Sequence, residues 1–276
     1  MKEYLQALKH CFDKGIDVDS RAGKVRKAFG YQMRFDLKKG FPALTTKKLA
    51  WKSVVSELLW FLEGSNDERR LAEILYDDDR KNLIDKKTIW TQNAKSEYWK
   101  EKAKFNGDVG RIYGVQWRDF RGVDQIKNLI DSIKNDPNGR RHILSAWNPA
   151  ELHLMSLPPC HSFSQFFISN GKLSCQLYQR SCDMFLGIPF NIASYSLLVH
   201  LVANDCDLKV DEFIHTLGDF HIYHEHFDQI DMQLKRDPRH LPQLQFASKN
   251  IFSYKVNDFE LINYDPHPMI KARMNV

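Results

Sequence analysis

The stretch FSQFFISNGKLSCQLYQR, residues 163–180, contains two strand-like segments joined by Asn170 and Gly171. An Asn-Gly pair between two such segments is a strong signal for a β-hairpin with a two-residue turn. Side chains alternate along a strand, so the second segment has two faces. One face carries Leu173, Cys175, Leu177 and Gln179, and the other carries Ser174, Gln176, Tyr178 and Arg180. Because the second face is polar and ends in an arginine, the pattern predicts that this strand borders a wet cavity.

Helical and strand-like patterns surround this hairpin. The predicted helices cover residues 2–15, 50–63, 124–135 and 192–205, and the predicted strands cover 28–36, 141–147, 163–169 and 172–180. The sequence shows no internal repeat and no Pro/Gly/Ser linker long enough to separate two domains. Helices and strands are mixed without strict alternation, which favours a single α+β domain over residues 1–276. The charged segment 65–106 is predicted to be an elaborated surface insertion in that domain.

The composition is that of an ordinary globular protein, with 43% hydrophobic and 27% charged residues. A net charge of +5 is compatible with anionic small-molecule ligands, and no Lys/Arg block requires nucleic acid. The segment MKEYLQALKHCFDKG predicts an amphipathic helix rather than a signal peptide, and no apolar run reaches the ~18 residues of a membrane helix. Five cysteines without a CxxC pair favour reduced thiols in the cytoplasm and no zinc site.

Cys160 lies in LPPCHSFSQF, residues 157–166, behind two prolines that restrict the approaching backbone. A lone cysteine is usually a small buried hydrophobe. At the start of a strand it can instead point into a cavity as a nucleophile, if cationic or donor-rich surroundings favour its thiolate. His161 is no evidence for a Cys–His dyad, because neighbours on a strand point in opposite directions. These residues alone leave both interpretations of Cys160 open.

Two arginine-containing segments are candidates for phosphate binding. NDPNGRRHILSAW places Arg140 and Arg141 at the entrance of a strand, and YQRSCDMFLGIPFN adds Arg180 and Ser181. A guanidinium fork suits phosphate oxygens better than an ammonium does, although adjacent arginines are more often part of a solvated turn. The same arginines are the candidate cations for a Cys160 thiolate.

Other polar residues stand in unusual contexts. The Asn191 amide both donates and accepts, so it is able to read an imide edge. Glu57 lies in SVVSELLWFLE on an otherwise apolar face, which fits either a desolvated acid–base group or a glutamate that reaches solvent. His221, His224 and His226 in GDFHIYHEH favour hydrogen bonds to a ligand over a metal, because no carboxylate–histidine helix motif accompanies them.

Longer motifs resemble those of one family and follow its order. They are FPALTTKK, ELLWFLEG, GDVGRIYGVQWR, GRRHILSAWNP, LPPCHSFSQF, LSCQLYQRSCDMFLGIPFNIASYSLLVH, GDFHIY and YDPHPMIKA. The sequence resembles the thymidylate synthase family, which includes nucleotide hydroxymethylases, over almost its whole length. The resemblance implies a central mixed β-sheet flanked by helices, with a sheet face used for dimerisation, and a nucleophilic Cys160.

The resemblance also implies roles at the nucleotide site. Cys160 would attack C6 of the uracil ring of dUMP and make C5 a nucleophile. Glu57 would organise water and protons at the C4 carbonyl and the folate, with Tyr113 and His161 in its hydrogen-bond network. Asn191 would recognise the base, and Arg180 and Asp183 would belong to the catalytic and substrate-binding centre. Phosphate binding is implied for Arg21, Arg180, Ser181 and the partner subunit's Arg140 and Arg141, and deoxyribose binding for His221 and Tyr223.

The implied cosubstrate is 5,10-methylenetetrahydrofolate, with dTMP and dihydrofolate as products. Folate-pocket positions are matched by Ile89, Trp90, Leu157, Asp183, Leu186, Gly187 and Phe190. Lys47 and Lys48 would meet the anionic glutamyl tail, and the C-terminal residues, Asn275 among them, would close over the site and exclude water. Because each phosphate site takes two arginines from a second subunit, the implied enzyme is an obligate homodimer, without metal, membrane or nucleic-acid partner.

Four positions depart from the family's pattern. Ala22 stands where Thr is common, Thr91 where Asp is usual, Phe220 where a small residue is common, and Asn275 where Ala is usual. Thr91 neighbours Trp90, and Asn275 lies in the closing tail. If closure admits water, water rather than hydride captures the methylene intermediate, and the product is 5-hydroxymethyl-dUMP. The synthase reaction is favoured, with dUMP hydroxymethylase as the alternative; Asn191 argues against the dCMP reaction, where an acidic residue is expected.

Hypotheses from two other classes have less support. A Cys–His acyl transferase or hydrolase built on Cys160 predicts product release from an ester or amide without folate. A nucleic-acid-binding module using Arg140, Arg141 and the lysine-rich insertion predicts an affinity whose logarithm falls linearly with log salt. The charge of +5 is too diffuse to favour the second.

Overall fold

A six-stranded sheet lies at the centre of the computed structural model, which describes residues 1–20 and 23–273. Its strands in chain order are β1 (Ile16–Ser20), β2 (Gly23–Asp36), β3 (Ile143–Ser145), β4 (His161–Ser169), β5 (Lys172–Asp183) and β6 (Lys209–Tyr223). They lie side by side in the order β1-β2-β6-β5-β4-β3, with β5 and β6 parallel and the other neighbours antiparallel. A separate small sheet pairs β7 (Gln243–Gln245) with β8 (Glu260–Ile262). The predicted mixed sheet of an α+β fold is confirmed.

Helices flank the sheet, and most of the predicted ones are confirmed. They are α1 (Lys2–Lys14), α2 (Trp51–Glu63), α3 (Glu68–Tyr76), α4 (Thr91–Ala94), α5 (Glu97–Lys100), α6 (Tyr113–Arg118), α7 (Gln125–Asn135), α8 (Gly187–Asp205) and α9 (Phe227–Leu234). The sequence placed the start of α8 at residue 192, but the helix begins at Gly187. Pro189 does not prevent this, because the first turn of a helix needs no N–H donor. In the described ranges no helix combines the length and apolar character needed to cross a membrane.

The predicted hairpin of β4 and β5 is confirmed. Asn170 and Gly171 have φ values of 51° and 69°, which a two-residue type I′ turn requires. The first predicted face of β5 is buried; it carries Leu173, Cys175, Leu177 and Gln179. On the second face, Gln176 and Tyr178 are exposed on an open side of the sheet. The expectation that they line a wet cavity was wrong, because alternation shows which side chains share a face but not what covers that face.

The buried side of the sheet changes along β6. Its first part buries Phe213, His215 and Leu217, and its second part buries Phe220 and Ile222. The change occurs at Gly218, where an added Cβ would lie 2.8 Å from the Tyr178 hydroxyl and 3.1 Å from the Arg180 carbonyl oxygen. Gly30 of β2, with φ of 77°, lies opposite Gly218. We call this level of β6, where the buried side changes, the bend of the sheet.

This bend opens the core-facing side of the sheet at one end. Helices α2 and α8 pack together, and α8 covers β5 and β6. Beyond the bend, the side chains that continue the row of Leu217 are half-exposed; they are Asp219, His221 and Tyr223. Helix α1 covers the opposite face there, with Cys11 Sγ 3.4 Å from the Phe220 carbonyl oxygen. Phe220, one of the departures from the family's pattern, is therefore buried against α1, beside His10 and Tyr31.

Segment 65–106 has an exposed part and a buried part. Residues 76–87 are exposed, apart from Leu83. The apolar side chains that it buries are Leu71, Ala72, Leu83, Trp90, Ala94 and Trp99. Helix α3 packs on α2. The segment thus joins the main core and brings Trp90 into it.

Candidate active site

Cys160 is half-buried and immediately precedes β4. Its backbone N–H donates to the hydroxyl of Tyr113, the first residue of α6, at 2.6 Å. Its carbonyl oxygen accepts from the Arg180 backbone N–H on β5 at 2.8 Å. Contacts from α6 and β5 therefore fix the backbone that carries the thiol.

The Arg180 guanidinium holds the loop that leads to Cys160. Nε donates to the Pro159 carbonyl oxygen at 2.8 Å, and Nη2 donates to the Pro158 carbonyl oxygen at 2.7 Å. The guanidinium carbon also lies 5.4 Å from the centroid of the Trp147 ring, within the range of a cation–π contact. Each of the two proline carbonyl oxygens thus accepts a hydrogen bond from the guanidinium. Arg180 thereby brings positive charge beside the thiol.

Opposing effects act on the ionisation of Cys160. Burial raises the pKa of its thiol, and the Arg180 charge and the Tyr113 hydrogen bond lower it without offsetting the burial. For Cys175, burial raises the pKa and no other group opposes it. Among these buried thiols, Cys160 thus combines partial exposure with a cation that favours its thiolate. The raised pKa keeps Cys160 in its thiol form at neutral pH.

Glu57 on α2 is nearly inaccessible, with 9% of its surface exposed. Its Oε1 accepts a hydrogen bond from Trp90 Nε1 at 2.7 Å. Burial raises the pKa of Glu57 from 4.5 to about 7, and the Trp90 hydrogen bond partly opposes this shift. Of the two interpretations of Glu57, the structure shows the desolvated carboxyl group. Such a group holds or releases a proton near neutral pH.

His161 is buried between aromatic side chains. Its ring stacks on Tyr113 with centroids 3.9 Å apart, and Nδ1 lies 2.9 Å from the Tyr195 hydroxyl. Burial, with a smaller contribution from His215, lowers the pKa of His161 to about 3. The imidazole is therefore neutral at pH 7, which argues against a thiolate–imidazolium pair with Cys160. A neutral ring still relays hydrogen bonds to Tyr195.

The Asn191 amide near the start of α8 is oriented by two buried residues. Because Gln179 Oε1 only accepts, His215 must donate its Nε2–H to it, at 2.9 Å. Gln179 Nε2 in turn donates to Asn191 Oδ1 at 3.0 Å. Burial lowers the pKa of His215 to about 3, so the ring is neutral. The Asn191 amide nitrogen is then left as a donor for a ligand.

A family model for thymidylate synthase matches residues 2–276. The chain belongs to the thymidylate synthase family. Membership makes it an enzyme of one-carbon transfer to a pyrimidine nucleotide, with methylenetetrahydrofolate as cosubstrate.

Three of the positions expected for folate in a thymidylate synthase lie at the start of α8, namely Leu186, Gly187 and Phe190. Leu157, Leu186, Gly187 and Phe190 are half-exposed, and Ile89 is exposed. A Cβ at Gly187 would lie 3.5 Å from Asp183 Cβ and 3.8 Å from Asn191 Oδ1, so the backbone there lies close to the site. Half-exposed apolar side chains next to a few polar groups suit a flat heteroaromatic ring, which is the chemistry of a pterin.

Asp183 and Lys47 shape the turn into α8. Asp183 Oδ1 accepts from the backbone N–H groups of Phe185 at 2.9 Å and Leu186 at 3.1 Å. Lys47 Nζ donates to the Phe185 carbonyl oxygen at 2.5 Å and lies 3.4 Å from the centroid of that ring. Burial lowers the pKa of Lys47 to about 7, although Asp183 favours its charge. Lys47 is thus held inside the protein, whereas Lys48 is exposed.

The residues expected to bind phosphate and deoxyribose lie in two places. Ser181, His221 and Tyr223 are half-exposed beyond the bend of the sheet, and His221 Nδ1 lies 3.3 Å from Asp219 Oδ1. Arg140 and Arg141 are exposed, and the Arg140 carbonyl oxygen accepts from Gln165 on the open face of β4. Neither arginine forms an ion pair with another residue of the described ranges. Arg21, Ala22 and Asn275 lie outside the described residues.

Sequence reasoning missed the residues that orient the expected ones. The sequence places Gln179 on the same face of β5 as Leu173, Cys175 and Leu177, but it does not predict the role of Gln179 towards Asn191. A buried amide needs hydrogen-bond partners, so a glutamine in an otherwise apolar row is a usable signal. His215 and Tyr195 gave no comparable signal. Within residues 1–20 and 23–273, no group of three His, Cys, Asp or Glu side chains is arranged to hold a metal ion.

Proposed function

We propose that this family member is a thymidylate synthase in the strict sense, which methylates dUMP to dTMP and converts 5,10-methylenetetrahydrofolate to dihydrofolate. The observation that carries the proposal is the setting of Cys160. Its thiol is half-buried beside Arg180, and the backbone that carries it is fixed by Tyr113. The buried pair of Glu57 and Trp90 adds a carboxyl group with a pKa of about 7.

In the proposed reaction the Cys160 sulfur forms a bond to C6 of uracil and loses its proton. The electron pair of the C5–C6 double bond moves towards the C4 carbonyl oxygen, so that C5 becomes nucleophilic. Glu57 is suited to hold or relay a proton at that carbonyl, because its pKa lies near the working pH. The carbon–sulfur bond breaks again when the product forms. Neutral His161 and Tyr195 keep this network aligned without adding a charge.

The cosubstrate supplies the one-carbon unit and the hydride. Leu157, Leu186 and Phe190 are proposed to pack on its pterin ring, and Asp183 to hold the turn that carries two of them. Exposed Lys48 is the better placed lysine for the glutamyl tail, because the Lys47 ammonium is engaged inside the protein.

Specificity for uracil is proposed to depend on Asn191. Its Oδ1 accepts from Gln179, so its amide nitrogen donates to a ligand carbonyl, as the C4 oxygen of uracil requires. Cytosine carries an amino group at that position and would set two donors against each other. Desolvated groups that mismatch in this way discriminate strongly.

The active enzyme is proposed to be a homodimer. The open face of the sheet carries exposed apolar side chains, namely Ile143, Phe163, Phe167 and Tyr178. Contiguous exposed apolar surface of this kind favours association. Arg140 and Arg141 lie next to that face and form no ion pairs within the described chain. In a two-fold dimer they would enter the phosphate site of the other subunit.

Hydroxymethylation of dUMP is the second candidate, and the departure at Thr91 is the observation in its favour. Thr91 follows Trp90, whose indole contacts Glu57. A change there alters the support of the proton network and of the folate-facing tryptophan. Asn275, the other departure that bears on the product, lies outside the described residues.

One reaction mixture of dUMP, methylenetetrahydrofolate and protein separates the two reactions. The synthase gives a rise in dihydrofolate absorbance and a nucleotide product one methyl group heavier. A product heavier by a hydroxymethyl group, without dihydrofolate, would replace the proposal with the hydroxymethylase. A covalent ternary complex with 5-fluoro-dUMP, located at Cys160 by peptide mass analysis, tests the nucleophile; its absence would contradict both reactions.

A further inference from the structure

Glu68, at the start of α3, is a buried carboxylate that the proposed reaction does not use. Only 2% of its surface is exposed. Its Oε2 accepts from Arg69 Nε at 2.6 Å, and Arg69 Nη2 donates to Oε1. Oε1 also accepts from the hydroxyls of Thr88 at 2.6 Å and Thr91 at 2.5 Å. Burial by itself would raise the pKa of Glu68, but these hydrogen bonds hold it below its usual value. Glu68 is therefore charged at neutral pH.

The charge of Glu68 fixes the direction of two hydroxyl groups. A hydroxyl has one hydrogen, so donating it to Glu68 leaves only lone pairs for other partners. The Thr91 hydroxyl accepts from the Thr88 backbone N–H at 2.9 Å, and the Thr88 hydroxyl accepts from the Trp90 backbone N–H at 3.1 Å. Glu68 thereby holds the whole turn of residues 88–91 in one hydrogen-bond pattern.

This turn carries Trp90 to Glu57. The indole Nε1 donates to Glu57 Oε1 at 2.7 Å, and the ring lies against Trp60 and Tyr113 with centroids 5.8 and 5.9 Å away. The direction of that N–H depends on where the backbone of Trp90 is held. A continuous series of hydrogen bonds thus runs from Glu68 through two threonines and Trp90 to Glu57.

Arg69 anchors the same cluster to the exposed part of segment 65–106. Its Nη1 donates to the carbonyl oxygens of Leu83 at 3.1 Å and Lys86 at 2.9 Å. The neighbouring charges, Asp67 and Arg80, are paired with each other at 2.6 Å. On the far side, burial raises the pKa of Tyr195 on α8, and the charges of Cys175 and Glu57 add to this effect. Segment 65–106 therefore supports Trp90, the residue whose indole N–H donates to Glu57.

We propose that Glu68 is a positioning residue for Glu57, and that Thr91 replaces the family's usual aspartate because Glu68 requires a hydrogen-bond donor at that place. An aspartate at position 91 would still accept the Thr88 N–H. It would also set a second carboxylate against Glu68 Oε1, and two close like charges disfavour ionisation of both. In this chain the negative charge that supports the turn is that of Glu68. This inference rests on the proposed role of Glu57 but not on which product is made.

The test follows the Trp90 indole N–H resonance in ¹⁵N-labelled full-length protein as a function of pH, with Trp90→Phe used for assignment. The wild-type resonance titrates near pH 7 because its acceptor is Glu57, and Glu57→Gln removes this titration. Thr91→Asp raises the midpoint by about one unit, the size of one weakened hydrogen bond, because the Trp90 N–H no longer favours the Glu57 carboxylate. The pH profile of kcat/KM shifts in the same direction.

Two matched variants separate positioning from general damage. Thr91→Ser retains the hydroxyl and keeps the wild-type midpoint. The double variant Glu68→Gln with Thr91→Asp returns the midpoint towards the wild-type value, because glutamine donates an N–H to the new carboxylate. The difference between the double variant and the two single variants measures the coupling of residues 68 and 91. If Thr91→Asp does not fold, Thr91→Val removes the donor without adding charge and gives the same upward shift.

The positioning role would be overturned if the titration midpoint and the pH profile of kcat/KM stayed unchanged in Thr91→Asp, Thr91→Val and Glu68→Gln alike. The resonance reports on Trp90 without turnover, so it also separates this inference from the proposed function. If the wild type made no dTMP but the resonance titrated and shifted as described, the synthase assignment would fall and the positioning role would stand.

Discussion

Single residues at this site act through the balance between burial and one well-placed partner. Cys160 has Arg180, Glu57 has Trp90, and Asn191 has Gln179. Glu57 is buried, and Cys160 and Asn191 are partly buried, so water competes less for each group and the nearby partner influences its protonation or orientation. Substitutions at these residues should therefore change chemistry more than they change the fold.

Cys160→Ser should abolish dTMP formation and leave dUMP binding largely intact. A serine hydroxyl fits the same space, but it is a far weaker nucleophile than a thiol beside a guanidinium. Steady-state turnover and calorimetric titration with dUMP check the two parts. Cys175→Ser, on the core-facing side of β5, is the control cysteine without a proposed chemical role. Normal turnover by Cys160→Ser would contradict the nucleophile assignment.

The free energy of unfolding of Glu57→Gln, relative to that of wild type, should increase as the pH rises from about 5 to 8. The folded-state pKa of Glu57, about 7, exceeds its ordinary value of 4.5. The folded state therefore binds this proton more tightly, and wild-type stability falls as pH rises through that window. A shift of this size corresponds to about 3 kcal/mol at most. Urea unfolding of both proteins at pH 5 and pH 8 measures the difference.

The exposed carboxylate Glu97 provides the control, because Glu97→Gln removes a surface charge without a buried proton site. Its stability relative to wild type should change little between the same two pH values. A Glu57→Gln difference that is independent of pH would show that Glu57 is not held protonated by the fold.

Asn191→Asp should shift the preference of the enzyme from dUMP towards dCMP. Gln179 continues to donate to one oxygen of residue 191, and the other oxygen becomes an acceptor for the cytosine amino group. The ratio of kcat/KM for the two nucleotides measures the shift. Unchanged preference would remove the proposed role of Asn191 in base recognition.

At the scale of elements, the bend of the sheet decides where the site opens. Leu217 and His221 belong to the same row of β6, but the first is buried and the second half-exposed. The close approach of Gly218 to β5 permits this change. Glycine is needed there for space, because its backbone lies against the Arg180 carbonyl oxygen and the Tyr178 hydroxyl.

Gly218→Ala should destabilise the fold by about 1–3 kcal/mol, the usual cost of forcing a methyl group into a packed site. Chemical denaturation midpoints give the measurement. Adding Tyr178→Phe should recover part of the loss, since it removes the hydroxyl 2.8 Å from the new Cβ. Gly171→Ala separates backbone strain from crowding. A Cβ at residue 171 would have no atom within 4 Å, so only the φ of 69° is unfavourable there. Wild-type stability of Gly218→Ala would contradict the packing account.

For the whole molecule, the exposed sheet face is the feature on which the proposed homodimer depends. Phe167 has 63% of its surface exposed, and it shares that face with Phe163 and Tyr178. Arg140 and Arg141 carry charges beside the face that the described chain does not pair. Both features fit a site completed by a second copy.

Mixing two inactive variants should restore activity. One variant carries Cys160→Ser, and the other carries Arg140→Ala with Arg141→Ala. A mixed dimer has one site that combines the intact Cys160 of one subunit with the intact arginines of the other, and random mixing makes about a quarter of all sites active. Turnover after joint refolding is the measurement. Failure to recover activity, with mixed dimers shown by mass spectrometry, would exclude the shared site.

Local patterns in the sequence were enough for the hairpin, for the helices around 2–15, 50–63 and 124–135, and for the mixed α+β class. Each of these depends on residues close together in the chain, where turn chemistry and apolar spacing are visible. The longer motifs were enough for the family. The exposed face of β5 was assigned wrongly, because what covers a strand depends on elements distant in sequence.

By itself, then, the sequence determined which chemical groups the chain possesses and which elements carry them, from the hairpin of β4 and β5 to the thiol of Cys160. Only the tertiary structure decided how those groups are tuned. The hydrogen bond from Trp90 to Glu57, the chain from His215 through Gln179 to Asn191, and the retention of Lys47 inside the protein all join residues far apart in sequence. Burial and partner geometry set protonation and orientation, and neither is written in local periodicity.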